Sequence, residues 1–219
     1  MPQPLSRFDP KLGFVLASGN SPHDPQMAQS VLTVINLWSQ IDYNYGYILA
    51  QIAKADPETI TAVFQAMISG EARKGALFAA AKVQLSAEQA ALVMAVVEST
   101  KVSRKTRNEF AHHLWGSLNS RPDCVVLAHP KDLAAYTAKM VALSGTRKER
   151  PELDRSQIMV WRQPCFDEAV AAAKTAHQRT VELSFIFDHP AEDRMRQDLL
   201  QHPQIARLYA HHLQEIQSG

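Results

Sequence analysis

The segment Arg107-Asn108-Glu109-Phe110-Ala111-His112 gathers a guanidinium, a side-chain amide and an imidazole within six residues. These are groups that hold anions, orient them and move protons near neutral pH. On a helical wheel Arg104, Asn108 and His112 fall at i, i+4 and i+8 and so share one face. Arg107 lies one position away, over Ala111 and close to an apolar stripe of Val93, Val96, Val97 and Thr100. This pattern predicts a polar cluster at the edge of the core-facing side, where such groups need partners. On the residues alone two readings stand. Arg107 either ties its helix to carbonyls of a neighbouring element, or the cluster is a functional site.

Other chemistries find less support. Glu109-x-x-His112 matches half of a di-iron carboxylate site, but there is no second Glu-x-x-His in the chain. The doublets His112-His113 and His211-His212 are not expected to make a ligand face, because neighbours on a helix diverge. Only Cys124 and Cys165 are present, without a CxxC pair, so they read as two reduced, partly buried thiols. No Gly-rich phosphate loop or nucleophile elbow occurs. No cofactor and no metal are expected.

The elements that must position the segment are mostly helical. Residues 1–24, with Pro2, Pro4, Pro10 and Pro22 among them, read as an irregular arm in which Leu12 to Ala17 docks as an extended piece. From Asp24-Pro25 to about Ala55, Val31, Ile35, Trp38, Ile41, Tyr45, Ile48 and Ile52 recur at helical steps. Asp56-Pro57 starts a second helix that Gly70 should stop, and a third covers 71–85. Ser86, with Gln89 three residues on, opens a fourth that should run through the Arg107–His112 segment to Trp115-Gly116.

Beyond it, 123–128 and 158–161 are β-branched runs that predict a two-stranded antiparallel ribbon, placing Cys124 close to Cys165. A helical piece from Leu133 to Leu143 and a charged loop from Gly145 to Ser156 lie between them. Residues 166–187 and the stretches after Pro190 and Pro203 are again helical. Residues 25–219 are expected to form one domain, a mainly α helical bundle with a small two-stranded β appendage.

Composition narrows the function classes. With 219 residues, 23 basic and 22 acidic, the net charge is +1, so nucleic acid would be held locally and not by the overall field. No stretch has the pattern of a secretory signal or the length of a membrane span. A cytoplasmic protein that does not contact membranes is expected.

The Arg-Asn-x-x-x-His pattern late in a long bundle helix resembles the HEPN superfamily, small α-helical domains that include many metal-independent ribonucleases. The continuation through Trp115-Gly116 to Pro122–Leu127 is similar to uncharacterised bacterial members in which the motif precedes a strand. The resemblance implies RNA as ligand and a symmetric homodimer whose two motifs share a cleft. It implies His112 as general acid or base, Arg107 as the cation on the phosphate, and Asn108 as the group that orients the phosphate or the imidazole.

Lys101, Arg104 and Lys105 would extend the basic surface, and Trp115, with Tyr43, Tyr45 and Tyr47, would offer stacking faces. The same cations also suit a helix C-terminus, and the same rings suit a core. His113 stands where family members often have Gly. This second imidazole lies about 100° round the helix, and is either an additional proton-transfer group or the mark of a site that no longer cleaves. The alternative is a non-catalytic HEPN-like module for binding or oligomerisation, with a protein partner the sequence does not specify.

Overall fold

The computed structural model describes residues 1–16, 24–143, 152–189 and 193–218. In chain order these form β1 (Gln3–Pro4), α1 (Leu5–Phe8), β2 (Phe14–Leu16), α2 (Pro25–Ala53), α3 (Pro57–Ala66), α4 (Gly70–Gln84), α5 (Ala87–Ser99) and α6 (Lys101–His112). There follow β3 (Leu114–Leu118), β4 (Arg121–Ala128), α7 (Pro130–Leu143), β5 (Ile158–Arg162), α8 (Gln163–Asp188), α9 (Asp193–Gln201) and α10 (Pro203–Ser218). The fold is mainly α with a small antiparallel sheet. No described helix is long and apolar enough to cross a membrane. Most of the charged loop expected over Gly145–Ser156 lies outside the described residues.

The chain divides into two compact units. One comprises Met1–Ile35 and Lys105–Ala171, the other Asn36–Arg104 and Ala172–Gly219. The boundaries fall inside α2, α6 and α8.

The first unit is built on the sheet. Its strand order is β1-β5-β4-β3-β2, every neighbour antiparallel. The expected β4–β5 pair is there, with Cys124 opposite Arg162 and both cysteines buried and free. The sheet has five strands and not two. Of the additional three, β2 falls within the extended piece expected over Leu12–Ala17, while β1 holds Pro4 and Leu114–Leu118 contains Gly116 and no β-branched residue, so neither of those two carried a strand signal. Trp115-Gly116, expected as a helix end, lies inside β3.

Gly116 is needed there. A Cβ at this position would overlap the Val15 carbonyl oxygen and come within 2.9 Å of the Leu16 and Val126 side chains. The arm over 1–24 is thus partly ordered strand, and Phe14–Leu16 falls within the predicted extended piece.

Both faces of the central strands are covered. Cys124, Val126, Ala128, Ile158 and Val160 join Leu5 and Leu118 on one face, with Phe8, Phe14 and Leu16 packed against them. Trp161 lies on the other. This accounts for the nearly continuous apolar reading of β4, which alternating polarity would have interrupted.

In the second unit, α5 is buried on almost every side from Ala90 to Val97, with α10 and α4 packed along it. The predicted caps hold. Ser86 and Gln89 form a reciprocal capping box, and Asp56 accepts from the Thr59 amide at 2.8 Å. Gly70 opens α4 behind the Ser69 cap and does not stop α3. Instead the Arg73 guanidinium donates to the carbonyls of Gln65 and Met67 at the end of α3 and to Asp42.

The fourth predicted helix is interrupted at Thr100. The Ser99 and Thr100 hydroxyls both turn back to the carbonyls of Val96 and Val97, at 2.7 Å each. Such back-bonding competes with the helical ladder. α6 therefore begins afresh, with its own inward stripe of Ser103 and Phe110 and with Arg107 between them, half-buried.

Candidate functional site

Residues Lys105 to His112 of α6 belong to the unit that holds the sheet, and one residue fixes them to it. Phe110 is 3% exposed. Its ring centroid lies 4.9 Å from Trp161, 5.5 Å from Phe166 and 5.7 Å from Trp115. Edge and stacked aromatic contacts of this kind add to the burial of the rings. Trp115 also donates its indole N–H to the Phe110 carbonyl at 3.2 Å. It is a member of this packed cluster, not a free stacking face.

With Phe110 turned inward, Asn108 and His112 are exposed and Arg107 is half-buried. The predicted polar cluster at the edge of the core is thus resolved into one edge residue and two solvent-facing ones, because Arg107 lies between Ser103 and Phe110 on the inward stripe while Asn108 and His112 lie about 100° and 140° away from Arg107. Arg107 donates through Nη1 to Asn108 Oδ1 at 3.1 Å. Its Nε is buried and has no acceptor. A buried donor left open is costly and calls for a reason.

Asn108 and His112 stand one turn apart on the same face. Arg107 and His112, five residues apart, are separated by about 140° around the helix and about 7.5 Å along it. Asn108 is bonded to Arg107 and shares a face with the His112 imidazole.

The charges around the motif partly pair. Lys105 approaches Glu109 at 3.8 Å. Burial pushes the Glu109 carboxyl above its usual range, and Lys105 opposes that shift. His113 is half-buried, its ring 5.1 Å from that of His129 and nearly perpendicular to it. Burial, reinforced by His129, pulls the His113 pKa below 6.5, with Asp132 acting the other way. His129 Nδ1 in turn accepts from the Lys131 amide at 3.1 Å. This His113–His129 pair was not foreseen, because His129 is separated from the motif by a hairpin whose existence the sequence did not signal.

The remaining predicted contacts fall elsewhere. Lys101 and Arg104 belong to the other unit, where Lys101 is exposed and Arg104 pairs with Glu71 at 3.2 Å. Tyr45 is buried there, its hydroxyl 3.1 Å from Thr100 Oγ1, which makes it a core residue and not a stacking platform. Tyr47 donates to Asp188 at 2.9 Å, and Tyr43 is exposed.

No family model, no curated protein and no solved structure matches this chain.

Proposed function

We propose that the protein is a HEPN-like, metal-independent endoribonuclease that works through Arg107, Asn108 and His112. The observation that carries this reading is the exposure of Asn108 and His112 beside a guanidinium with one buried, unanswered donor. In the proposed reaction His112 takes the 2′-hydroxyl proton or returns one to the leaving oxygen. Arg107 holds the phosphate and stabilises the charge that builds on it. Asn108 keeps the guanidinium in register with the His112 face. Because Arg107 and His112 diverge on one helix, a symmetric pair of chains with facing motifs would supply both groups to one phosphate.

The decisive experiment is cleavage of RNA by purified protein in excess EDTA, with Arg107→Ala and His112→Ala beside the wild type. Products ending in a 2′,3′-cyclic phosphate, lost in both variants, are expected. Cleavage that survives His112→Ala, or no cleavage across a broad RNA panel, overturns the assignment.

A second reading has its own observation. α7 buries none of its residues and presents Ala134, Ala138 and Val141 to solvent, with Val141 69% exposed. Together with the pairing of Arg104 and Lys105 to carboxylates, this suits a non-catalytic binding or oligomerisation module.

A further inference from the structure

The doublet His211-His212 on α10 comes together with Glu215, contrary to the expectation that adjacent histidines diverge from any shared ligand. The reason lies in Glu215 itself. It stands four residues from His211 and three from His212, so one carboxylate one turn on reaches both. His211 Nε2 lies 3.5 Å from one Glu215 oxygen and His212 Nδ1 lies 2.9 Å from the other. The two rings are 5.3 Å apart, and the three ligand atoms all fall within 4.8 Å of one another.

We propose that His211, His212 and Glu215 form a binding site for a divalent transition-metal ion of the zinc type. Ligands at about 2.0–2.2 Å from a tetrahedral ion stand about 3.4 Å from each other, and the two nitrogen–oxygen separations bracket that value. Imidazole with carboxylate is a donor set that selects zinc, cobalt or nickel over calcium and magnesium.

The surroundings are those of a held ligand. His212 is 4% exposed, with the edge of its ring contact made by Phe78 at 6.1 Å. Its second nitrogen, Nε2, faces Glu98 Oε2 at 3.2 Å, and the other Glu98 oxygen accepts from Lys74 at 2.9 Å. A ligand histidine whose far nitrogen donates to a carboxylate has its tautomer and ring plane fixed. Here Glu98 fixes Nε2–H, which leaves Nδ1 to the ion, and Lys74 fixes Glu98.

In the metal-free protein Nδ1 and a Glu215 carboxylate oxygen lie 2.9 Å apart. The ion enters between that nitrogen and that oxygen, and any proton held there leaves to solvent. His211 and Glu215 are more than half exposed, so the ion reaches the site without opening the core, and its fourth position faces water.

The test uses full-length protein without a histidine tag, stripped with EDTA, dialysed and titrated with zinc chloride alone. One ion per chain should bind, with a rise in melting temperature. Cobalt should give the visible absorption of a tetrahedral site. His211→Ala and Glu215→Gln, both at exposed positions, should abolish binding while leaving the metal-free melting temperature within a few degrees. Glu98→Gln should keep the site and weaken it about 10–100-fold. No stoichiometric binding, or binding unchanged in His211→Ala and Glu215→Gln, overturns the proposal. It is independent of the ribonuclease reading, whose assay is run in EDTA.

Discussion

Phe110 and His112 leave α6 in different directions: the ring of Phe110 is enclosed by Trp161, Phe166 and Trp115, while the imidazole two residues later is in solvent. The motif is presented by what lies between its members. Phe110→Ala should cost about 3–5 kcal/mol in denaturant unfolding, as expected for deleting a buried ring. Phe110→Leu should cost appreciably less. Equal costs for the two would show that the cluster does not depend on the ring.

Arg107 separates function from architecture. Its Nε is already unsatisfied, so Arg107→Ala removes a burial penalty together with a single bond to Asn108. Stability should change by less than about 1 kcal/mol, while on the proposed ribonuclease reading RNA cleavage falls at least about 100-fold. Arg107→Lys should restore little, because an ammonium cannot reproduce the planar fork. A loss of several kcal/mol in Arg107→Ala would identify the residue as a structural tie.

His113 gives a pH signature. Its folded-state pKa lies below 6.5, so between the two values the unfolded chain binds more protons than the folded one. Stability therefore rises with pH through that window and is lost as pH falls below about 6.5. Replacing the group with His113→Gln should flatten this limb. Melting temperatures at pH 7.5 and 5.5 would differ less in the variant than in the wild type. An identical difference in both would remove His113 from the acid transition.

Gly116 admits no side chain. Gly116→Val should destabilise the sheet by about 1–3 kcal/mol or more, as forced overpacking does. It should also release β2, read as new protease cleavage in the residues before α2. A variant as stable and as protease-resistant as the wild type would contradict the close approach of Val15.

The helices were legible where they carry their own punctuation. Asp24, Asp56 and Ser86 each announce a start, and the apolar spacing from Val31 to Ile52 identifies a buried face. β4 and β5 were legible because Val125, Val126, Ile158 and Val160 are strand formers. The rest depended on information that is not local. Nothing beside Gly116 says that a backbone from a hundred residues earlier will lie against it. Two adjacent hydroxyls, Ser99 and Thr100, bond back to the carbonyls of Val96 and Val97 and end α5 where the apolar spacing predicts one long helix. Arg107 lies at the edge of the core as its place on the wheel predicts, whereas Asn108 and His112 lie on the solvent side and not at that edge. The approach of Glu215 to both His211 and His212 is not legible from the doublet alone, because it depends on a carboxylate one turn on.

The strand order has a consequence for how the chain is made. β1 and β2 occupy the two opposite edges of the sheet, one paired at Gln3 with Val160, the other at Phe14 with Leu118. Synthesis runs from the N-terminus, so residues 3–16 emerge long before either partner exists. The two edges of the β3-β4-β5 core are closed only when this early segment pairs with them. Open strand edges are templates for pairing with other chains. Loss of residues 3–16 would leave Ile158–Arg162 and Leu114–Leu118 as open edges, the condition under which strands pair with other chains.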